Sequence, residues 1–458
     1  MKLITSISGI RGIYGKTLTD TIASNYVHSF SNIQSSGKIL LAQDSRPHGK
    51  NIYDHACKAL VALGREVISC GIIPTPTAQF IIKEQKLAGG IVITASHNPI
   101  EWNGLKFLDN DGCFLNADKM EKLLSEHPKS ITADKTGHVI EFKNAYQNHI
   151  KNILNLNCID INTIKSKNFK VVVDTVNGAA YKALPDLLEE LNCNVIKIHC
   201  DNDGAFPRGT EPIPCHLEDL SKAVTEHNAD IGFATDPDAD RLAIVDNHGN
   251  PIGEESTLVL ALESYLKYYQ DSQKVVTNLS TSMAVDVIAA QYNSTVQRSS
   301  VGEINVVEKM KELNSPLSGE MSGHVCYGDD FYGYDDAMYV ALRLLRILAN
   351  QNKFLSALID IYPKTFSTPE TRFDVDESRK FIIIDEVKER LKGADEKIID
   401  IDGVRVESED GWFLMRASNT QNQLTCRAES ISKEGLQNLI NTIEYQLSLS
   451  GVNYKFMI

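Results

Sequence analysis

Asp236-Pro237-Asp238-Ala239-Asp240-Arg241 sets three carboxylates at alternate positions between two apolar runs, IGFAT and LAIVD. Alternate carboxylates on a loop can converge on one hard cation. A calcium loop of the EF-hand type needs Gly at its sixth position and Glu at its twelfth, where counting from Asp236 gives Arg241 and Asn247, so that route is rejected. Three carboxylates with the other positions open to water or phosphate oxygen suit Mg²⁺. A solvated acidic turn is the plain alternative. Thr94-Ala95-Ser96-His97-Asn98-Pro99 follows the apolar run GGIVI, which presents Ser96 at a strand end with His97 beside it. Ser96 could be a nucleophile or a phosphate carrier, although Ser-His in a turn is also an ordinary structural feature. The nucleophile elbow G-x-S-x-G is absent, because Ala95 and His97 flank the serine, which argues against an acyl hydrolase of that type.

Three further segments offer anion and hydroxyl chemistry. Gly9 to Thr17 looks like a phosphate loop but has five residues between Gly9 and Gly15 where that motif needs four, so Arg11 is read as an anion contact or a surface arginine. Glu320-Met321-Ser322-Gly323-His324 offers short polar side chains for sugar hydroxyls, or is a plain loop. Arg416-Ala417-Ser418-Asn419-Thr420, ahead of Arg427, joins a planar cation to neutral donors, as a phosphate site requires. A Ser/Thr-rich turn would read the same way.

The elements that must position these loops repeat. Lys38, Lys170 and Lys274 each open an apolar β-branched run, a polar turn and a helical pattern, at separations of 132 and 104 residues. Each is followed by a second apolar run ending in one of the loops above, near 91, 231 and 317. Buried strands alternating with helices predict mostly parallel α/β units, with ligands beyond the carboxyl ends of the strands. After about residue 365 the pattern becomes a helix over Ile384 to Leu391, strands near 396–401, 412–417 and 423–430, and a closing helix with Leu436, Leu439, Ile440, Ile443 and Leu447 at helical spacing. The predicted divisions are 1–150, 151–250, 251–365 and 366–458.

Length and composition set the outer bounds. The chain has 458 residues, 42% hydrophobic and 23% charged, and a formal charge of −14. That is ordinary globular composition for three or four domains, and it argues against nucleic acid or an anionic membrane as partner. Nine scattered cysteines with no C-x-x-C suggest neither disulfides nor zinc. No apolar stretch approaches a membrane span, and the expected location is the cytoplasm.

Taken together, TASHNP, DPDADR, GEMSGH and RASNT, one per proposed domain and in that order, resemble the α-D-phosphohexomutase family over essentially the whole chain. The resemblance implies three similar α/β domains with mixed, mostly parallel sheets, and a fourth α+β domain resembling the TATA-box-binding-protein fold. It implies phosphoryl transfer between the 1- and 6-positions of a hexose phosphate through phospho-Ser96 and a hexose 1,6-bisphosphate. Ser96, Asp236, Asp238 and Asp240 would hold Mg²⁺, with Arg241 beside them. Glu320 and Ser322 would read sugar hydroxyls, while Arg416, Ser418, Asn419 and Thr420 would grip the substrate phosphate. Arg11, His97, Asn98, Lys106 and His324 match the surround of the reacting centre, and Lys106 or His324 would be the base. The implied partners are small hexose phosphates, on a monomer or homodimer.

The sequence departs from the family at several points. Gln421-Asn422 replaces Glu-Pro after Thr420, Ala42 stands where Gly is usual ahead of Asp44 and Arg46, and Ser300 stands where many members carry Lys, a loss Arg298 could offset. GEMSGH looks most like the phosphomannomutase/phosphoglucomutase group, since phosphoglucosamine mutases more often have Gln in place of Met321. A metal-dependent sugar phosphatase and a non-catalytic sugar-phosphate binder are the rivals from other classes.

Overall fold

The computed structural model describes residues 2–126, 136–269, 272–328, 333–392, 396–418 and 421–456. The chain forms two compact units, one of Met1–Ala261 with Ser322–Asp360, the other of Leu262–Met321 with Ile361–Ile458. Among the described residues no helix is long and apolar enough to cross a membrane, and none of the nine cysteines forms a disulfide.

In the first unit, the runs that open at Lys38 and near residue 91 become strands Ile39–Gln43 and Gly89–Ile93, which pair in parallel. They lie inside a seven-stranded sheet ordered Ile4–Ser6, Gly9–Ile13, Trp102–Leu108, Gly89–Ile93, Ile39–Gln43, Val67–Ile72, Val139–Glu141. The first three pairings are antiparallel and the last three parallel. Central strands read as unbroken apolar runs because helices cover them, as Phe30, Ile52 and Leu60 show by packing in the same core as Leu41 and Ile91. A second sheet repeats the plan with Leu242–Val245, Ile231–Thr235, Lys170–Asp174 and Asn194–Ile198, antiparallel at the first pairing and parallel at the others. Helix Ala337–Gln351 starts where Asp336 accepts from the backbone N–H of Met338 at 2.9 Å and Tyr339 at 3.3 Å, satisfying amides that a helix start leaves orphaned.

In the second unit, strands Thr295–Ser299, Lys274–Asn278 and Leu317–Gly319 are parallel. The C-terminal sheet is antiparallel throughout, ordered Phe366–Ser367, Gln423–Ser430, Gly411–Ala417, Val404–Ser408, Lys397–Ile399, with Thr371–Asp374 also on Gln423–Ser430. Helices Lys380–Leu391 and Lys433–Leu449 bury Ile384, Val387, Leu439 and Ile443 against Phe413 and Met415. The alternate residues, Trp412 and Leu414, pack on Leu279 instead, as the two-residue period of a strand dictates. Strand Val404–Ser408 was not anticipated, because VRVES alternates charge with valine and is too short to register as an apolar run.

Candidate active site

Ser96 follows strand Gly89–Ile93 in the left-handed backbone region, φ 49°, which a residue with a Cβ seldom adopts. The conformation is over-determined. Its N–H donates to Thr94 Oγ1 at 2.9 Å, and the Thr94 hydroxyl donates to Asp44 Oδ2 at 2.6 Å. Arg46 does more: Nε pairs with Asp44 at 3.1 Å, Nη1 donates to the carbonyls of Pro99 and Trp102 at 2.7 and 3.0 Å, and Nη2 to those of Ser96 and Asn98 at 2.6 and 2.7 Å. Four guanidinium protons are therefore spent on the loop's carbonyls and the fifth on Asp44, and Arg46 is buried. The result points the Ser96 hydroxyl at Asp236 Oδ2, 3.2 Å away, with His97 Nδ1 at 3.3 Å.

The Asp236 to Arg241 segment links strands Ile231–Thr235 and Leu242–Val245, and its three carboxylates are buried within 4.8 Å of one another. Ala239 is left-handed here, φ 60°, a second strained residue at the same centre. Lys106 Nζ reaches from strand Trp102–Leu108 to Asp238 Oδ2 at 2.7 Å and Asp240 Oδ2 at 2.6 Å. Thr75 Oγ1 adds a bond to Asp238 Oδ2 at 2.8 Å. Oδ1 of both Asp238 and Asp240 is buried and makes no hydrogen bond among the described residues. Burial, then the crowding of Asp240 and Asp238, push Asp236 well above the usual carboxylate range. Two orphaned anionic oxygens beside a third carboxylate fit a divalent cation with hard oxygen ligands.

Cations surround this triplet. Arg11, on strand Gly9–Ile13, donates to Asn98 Oδ1 at 3.0 Å. The Arg241 N–H lies 3.4 Å from Asp236 Oδ1, and its guanidinium 3.8 Å from Glu211. Arg241 together with burial and Arg11 pushes His97 well below its ordinary value, so its ring is neutral. His324 goes the other way. Burial opposes its charge, but Asp335 at 2.6 Å outweighs it and raises the imidazole to about 10. His324 therefore enters as an imidazolium, suited to donate rather than to accept a proton. Gly323, φ 81°, sets it in place: a Cβ there would come 2.8 Å from the Leu242 carbonyl.

In the second unit, Glu320 is buried and its Oε1 accepts from Asn278 Nδ2 at 2.6 Å and from the Gly302 N–H at 2.8 Å. Arg416 pairs with Asp402 at 3.1 Å, and its buried Nε makes no other hydrogen bond among the described residues. The Ser418 N–H donates to the Gln423 carbonyl at 2.9 Å and Ser418 Oγ accepts from the Gln421 N–H at 3.1 Å. Asn419 and Thr420 lie outside the described residues. Arg427 donates to the Ser280 carbonyl at 2.7 Å. Arg298 is taken up by Asp286 and by Thr277 Oγ1 at 2.6 Å, so it fills a structural place within its own domain.

Ser96, His97, Lys106, Arg11, Arg241, His324 and the Asp triplet all fall in the first unit, as does half-buried Ser322, whereas Glu320, Arg416 and Ser418 fall in the second. Reasoning from the sequence missed Thr75, Arg208, Asn278 and Asp335, which hold the loops, and noted Asp44 without assigning it a role. One signal was present: an Asp or Asn closes the first strand of every repeat, at positions 44, 174 and 278.

Known domain patterns match along the chain: phosphoglucomutase/phosphomannomutase alpha/beta/alpha domain I over residues 2–133, domain II over 144–249, domain III over 254–365, and the C-terminal domain over 370–444. The chain is 32% identical over 445 residues to the phosphomannomutase/phosphoglucomutase of Pseudomonas putida, covering 96% of this chain and 94% of that one. It is 31% identical over 438 residues to a probable phosphoglucosamine mutase of Methanopyrus kandleri, covering 94% and 95%. The crystal structure of a phosphoglucomutase/phosphomannomutase family protein from Burkholderia thailandensis superposes with a TM-score of 0.88 at 28% identity, covering 99% of this chain and all of that one. An Aspergillus fumigatus N-acetylphosphoglucosamine mutase solved with GlcNAc-6P and magnesium shares the fold at a TM-score of 0.60 and 13% identity.

These matches define the protein's class as a phosphohexomutase, an isomerase that relocates a phosphoryl group within a sugar phosphate. The chain belongs to the phosphoglucomutase/phosphomannomutase family.

Proposed function

We propose that the enzyme interconverts hexose 1-phosphate and hexose 6-phosphate through phospho-Ser96, with glucose or mannose as the sugar. The observation that carries this reading is the Ser96 hydroxyl, aimed at Asp236 from 3.2 Å by a strained and fully bonded loop. In the first half-reaction the Oγ–P bond of phospho-Ser96 breaks as a bond forms between phosphorus and the substrate's free hydroxyl oxygen. That hydroxyl's proton passes to a base, and Ser96 Oγ takes up a proton. The resulting hexose 1,6-bisphosphate turns around and returns its other phosphoryl group to Ser96, so the phosphate changes ends.

The residues divide this work. Asp236, Asp238 and Asp240 would hold Mg²⁺, which when bound supplies Lewis-acid neutralisation of the transferring group. Arg11 and Arg241 add fixed positive charge around it, where phosphoryl transfer gains most from electrostatics. Neutral His97, 3.3 Å from Ser96 Oγ, can take the serine proton when Ser96 is rephosphorylated. His324 is held as an imidazolium by Asp335, and Lys106 Nζ donates to Asp238 and Asp240 at 2.7 and 2.6 Å, so both stand as donors and whichever serves as base for the substrate hydroxyl must first give up its proton. Glu320 and Ser322 read the sugar, while Arg416 and Ser418, with Asn419 and Thr420, grip the phosphate that is not reacting.

Glucosamine phosphate is the second substrate considered, favoured by the Methanopyrus kandleri relative. Coupled assays with glucose, mannose and glucosamine 1-phosphates decide the sugar. Mass spectrometry of purified enzyme incubated with hexose 1,6-bisphosphate decides the carrier: phosphate is expected on Ser96, and active enzyme without it would overturn the mechanism.

A further inference from the structure

The three repeats share more than their strands. Each first strand ends in a buried residue, Asp44, Asp174 or Asn278, that faces the start of a functional loop across the parallel pair. The pairings Gln43 with Ile93 and Thr277 with Gly319, extended one step, set Asp44 opposite Thr94 and Asn278 opposite Glu320, while Asp174 pairs directly with Ala234. Two residues beyond the position each one faces stand Ser96, Asp236 and Ser322.

In the first two repeats the device is a carboxylate that orients an arginine, which in turn holds loop carbonyls. Asp44 fixes Arg46, whose Nη2 donates to the Ser96 carbonyl at 2.6 Å. Asp174 pairs with Arg208 at 2.9 Å, and Arg208 Nη2 donates to the carbonyl of Thr235, next to Asp236, at 2.7 Å. In the third repeat the loop presents a carboxylate, Glu320, and the strand end is an amide. Asn278 Oδ1 accepts from the Ser280 N–H and the Thr281 hydroxyl, both at 2.9 Å, which leaves Nδ2 to donate to Glu320 Oε1 at 2.6 Å.

We propose that Asp44, Asp174 and Asn278 are equivalent positioning residues, and that the third is an amide because it must hold Glu320 by donating to it. This rests on Glu320 reading the substrate. An aspartate at 278 would keep both accepted bonds but set a carboxylate against Glu320, two like charges in a dry site.

A mutant cycle tests it. Asn278→Asp is expected to raise KM for hexose phosphate at least about tenfold, with kcat and phosphorylation of Ser96 by hexose 1,6-bisphosphate changed far less. In a Glu320→Gln background the same substitution should cost several-fold less, since the clash of like charges is gone, although one atom of the new amide cannot both donate to the new carboxylate and accept from the Gly302 N–H. Asp44→Asn should show the opposite split, slowing Ser96 phosphorylation while leaving KM near its starting value. Equal losses from Asn278→Asp in both backgrounds, or an unchanged KM, would overturn the proposal. If Asn278→Asp is too unstable to assay, the melting midpoint carries the same cycle, and the loss must shrink clearly with Glu320→Gln. A Glu320→Gln enzyme with ordinary KM would instead remove the sugar-reading role of Glu320, whatever the coupling between the two positions.

Discussion

The loop that carries Ser96 and the loop that carries Arg416 are built to opposite standards. Around Ser96 a left-handed backbone is locked by Thr94, Asp44 and four guanidinium protons of Arg46, the fifth holding Arg46 to Asp44, and the neighbouring Asp236 to Arg241 loop adds a second left-handed residue, Ala239. Around Arg416 the described residues include an ion pair to Asp402 at 3.1 Å and the Ser418 N–H bonded to the Gln423 carbonyl at 2.9 Å. Reacting atoms must be held to fractions of an ångström, so a proposed phosphate carrier belongs where backbone strain is fully supported. A clamp proposed to accept either end of a bisphosphate must tolerate more than one pose, which asks for looser holding than a reacting centre does.

The largest effect should come from the rigid side. Ser96→Ala removes the phosphate carrier while its methyl group still fits the buried loop, and mutase activity should fall by at least about a thousandfold with the melting midpoint little changed. Retention of a tenth of the activity would break the contrast, because the loop would then be scaffolding without chemistry. Next comes Asp238→Asn. It deletes one anionic oxygen from the triplet and weakens the bond to Lys106, so at limiting Mg²⁺ turnover should drop roughly a hundredfold. A Mg²⁺ titration of activity checks it, and an unchanged half-saturation would remove Asp238 from the metal site.

How much of this could be read from the chain follows the same divide. The repeated strands were legible because buried parallel strands are continuous apolar runs, and TASHNP and DPDADR stood out because their polar residues interrupt such runs abruptly. The supports were not. Arg46 and Arg208 contact backbone carbonyls far along the chain, and a carbonyl leaves no trace in a sequence. His324 reads as a possible base in the sequence, which does not reveal Asp335 2.6 Å away, the partner that raises its imidazole. In the C-terminal part the short, charge-alternating strand Val404–Ser408 lacked the pattern that betrayed the others.

A moderate effect is expected on the loosely tethered side. Arg416→Ala should raise KM for hexose phosphate about tenfold to a hundredfold, the cost of one charge-assisted contact, with phosphorylation of Ser96 nearly intact. Both directions of the reaction should suffer alike, since each half-reaction places a phosphate there. A phosphatase needs only the phosphate at the metal, so unchanged KM in both directions would favour hydrolysis over a bisphosphate that turns around.

The smallest effect probes the support behind the metal loop. His199 Nδ1 lies 2.9 Å from Asp174 Oδ2, on the same carboxylate that holds Arg208. The hydrogen bond it donates to Asp174, opposed in part by burial, raises the imidazole above its ordinary value. Burial works against the Asp174 charge, yet His199 and Arg208 outweigh it and hold the carboxyl below its usual range. A raised histidine stabilises the fold fully below its unfolded pKa of about 6.5 and loses that contribution as pH climbs through the folded value. A lowered carboxyl contributes above its unfolded pKa of about 3.9 and loses it as pH falls through the folded value. The pair is therefore most stabilising between roughly pH 4 and 6.5. His199→Gln should lower stability by about 1 kcal/mol near the acidic end of that range, and the gap from the parent should close toward pH 9. Arg208 keeps Asp174 paired in the variant, so turnover should hold. Melting curves across this pH range supply the measurement, and a stability gap independent of pH would mean that His199 acts by packing alone. In that case the charged support of the metal loop would reduce to Asp174 and Arg208, the same two-residue relay that Asp44 and Arg46 provide beneath Ser96.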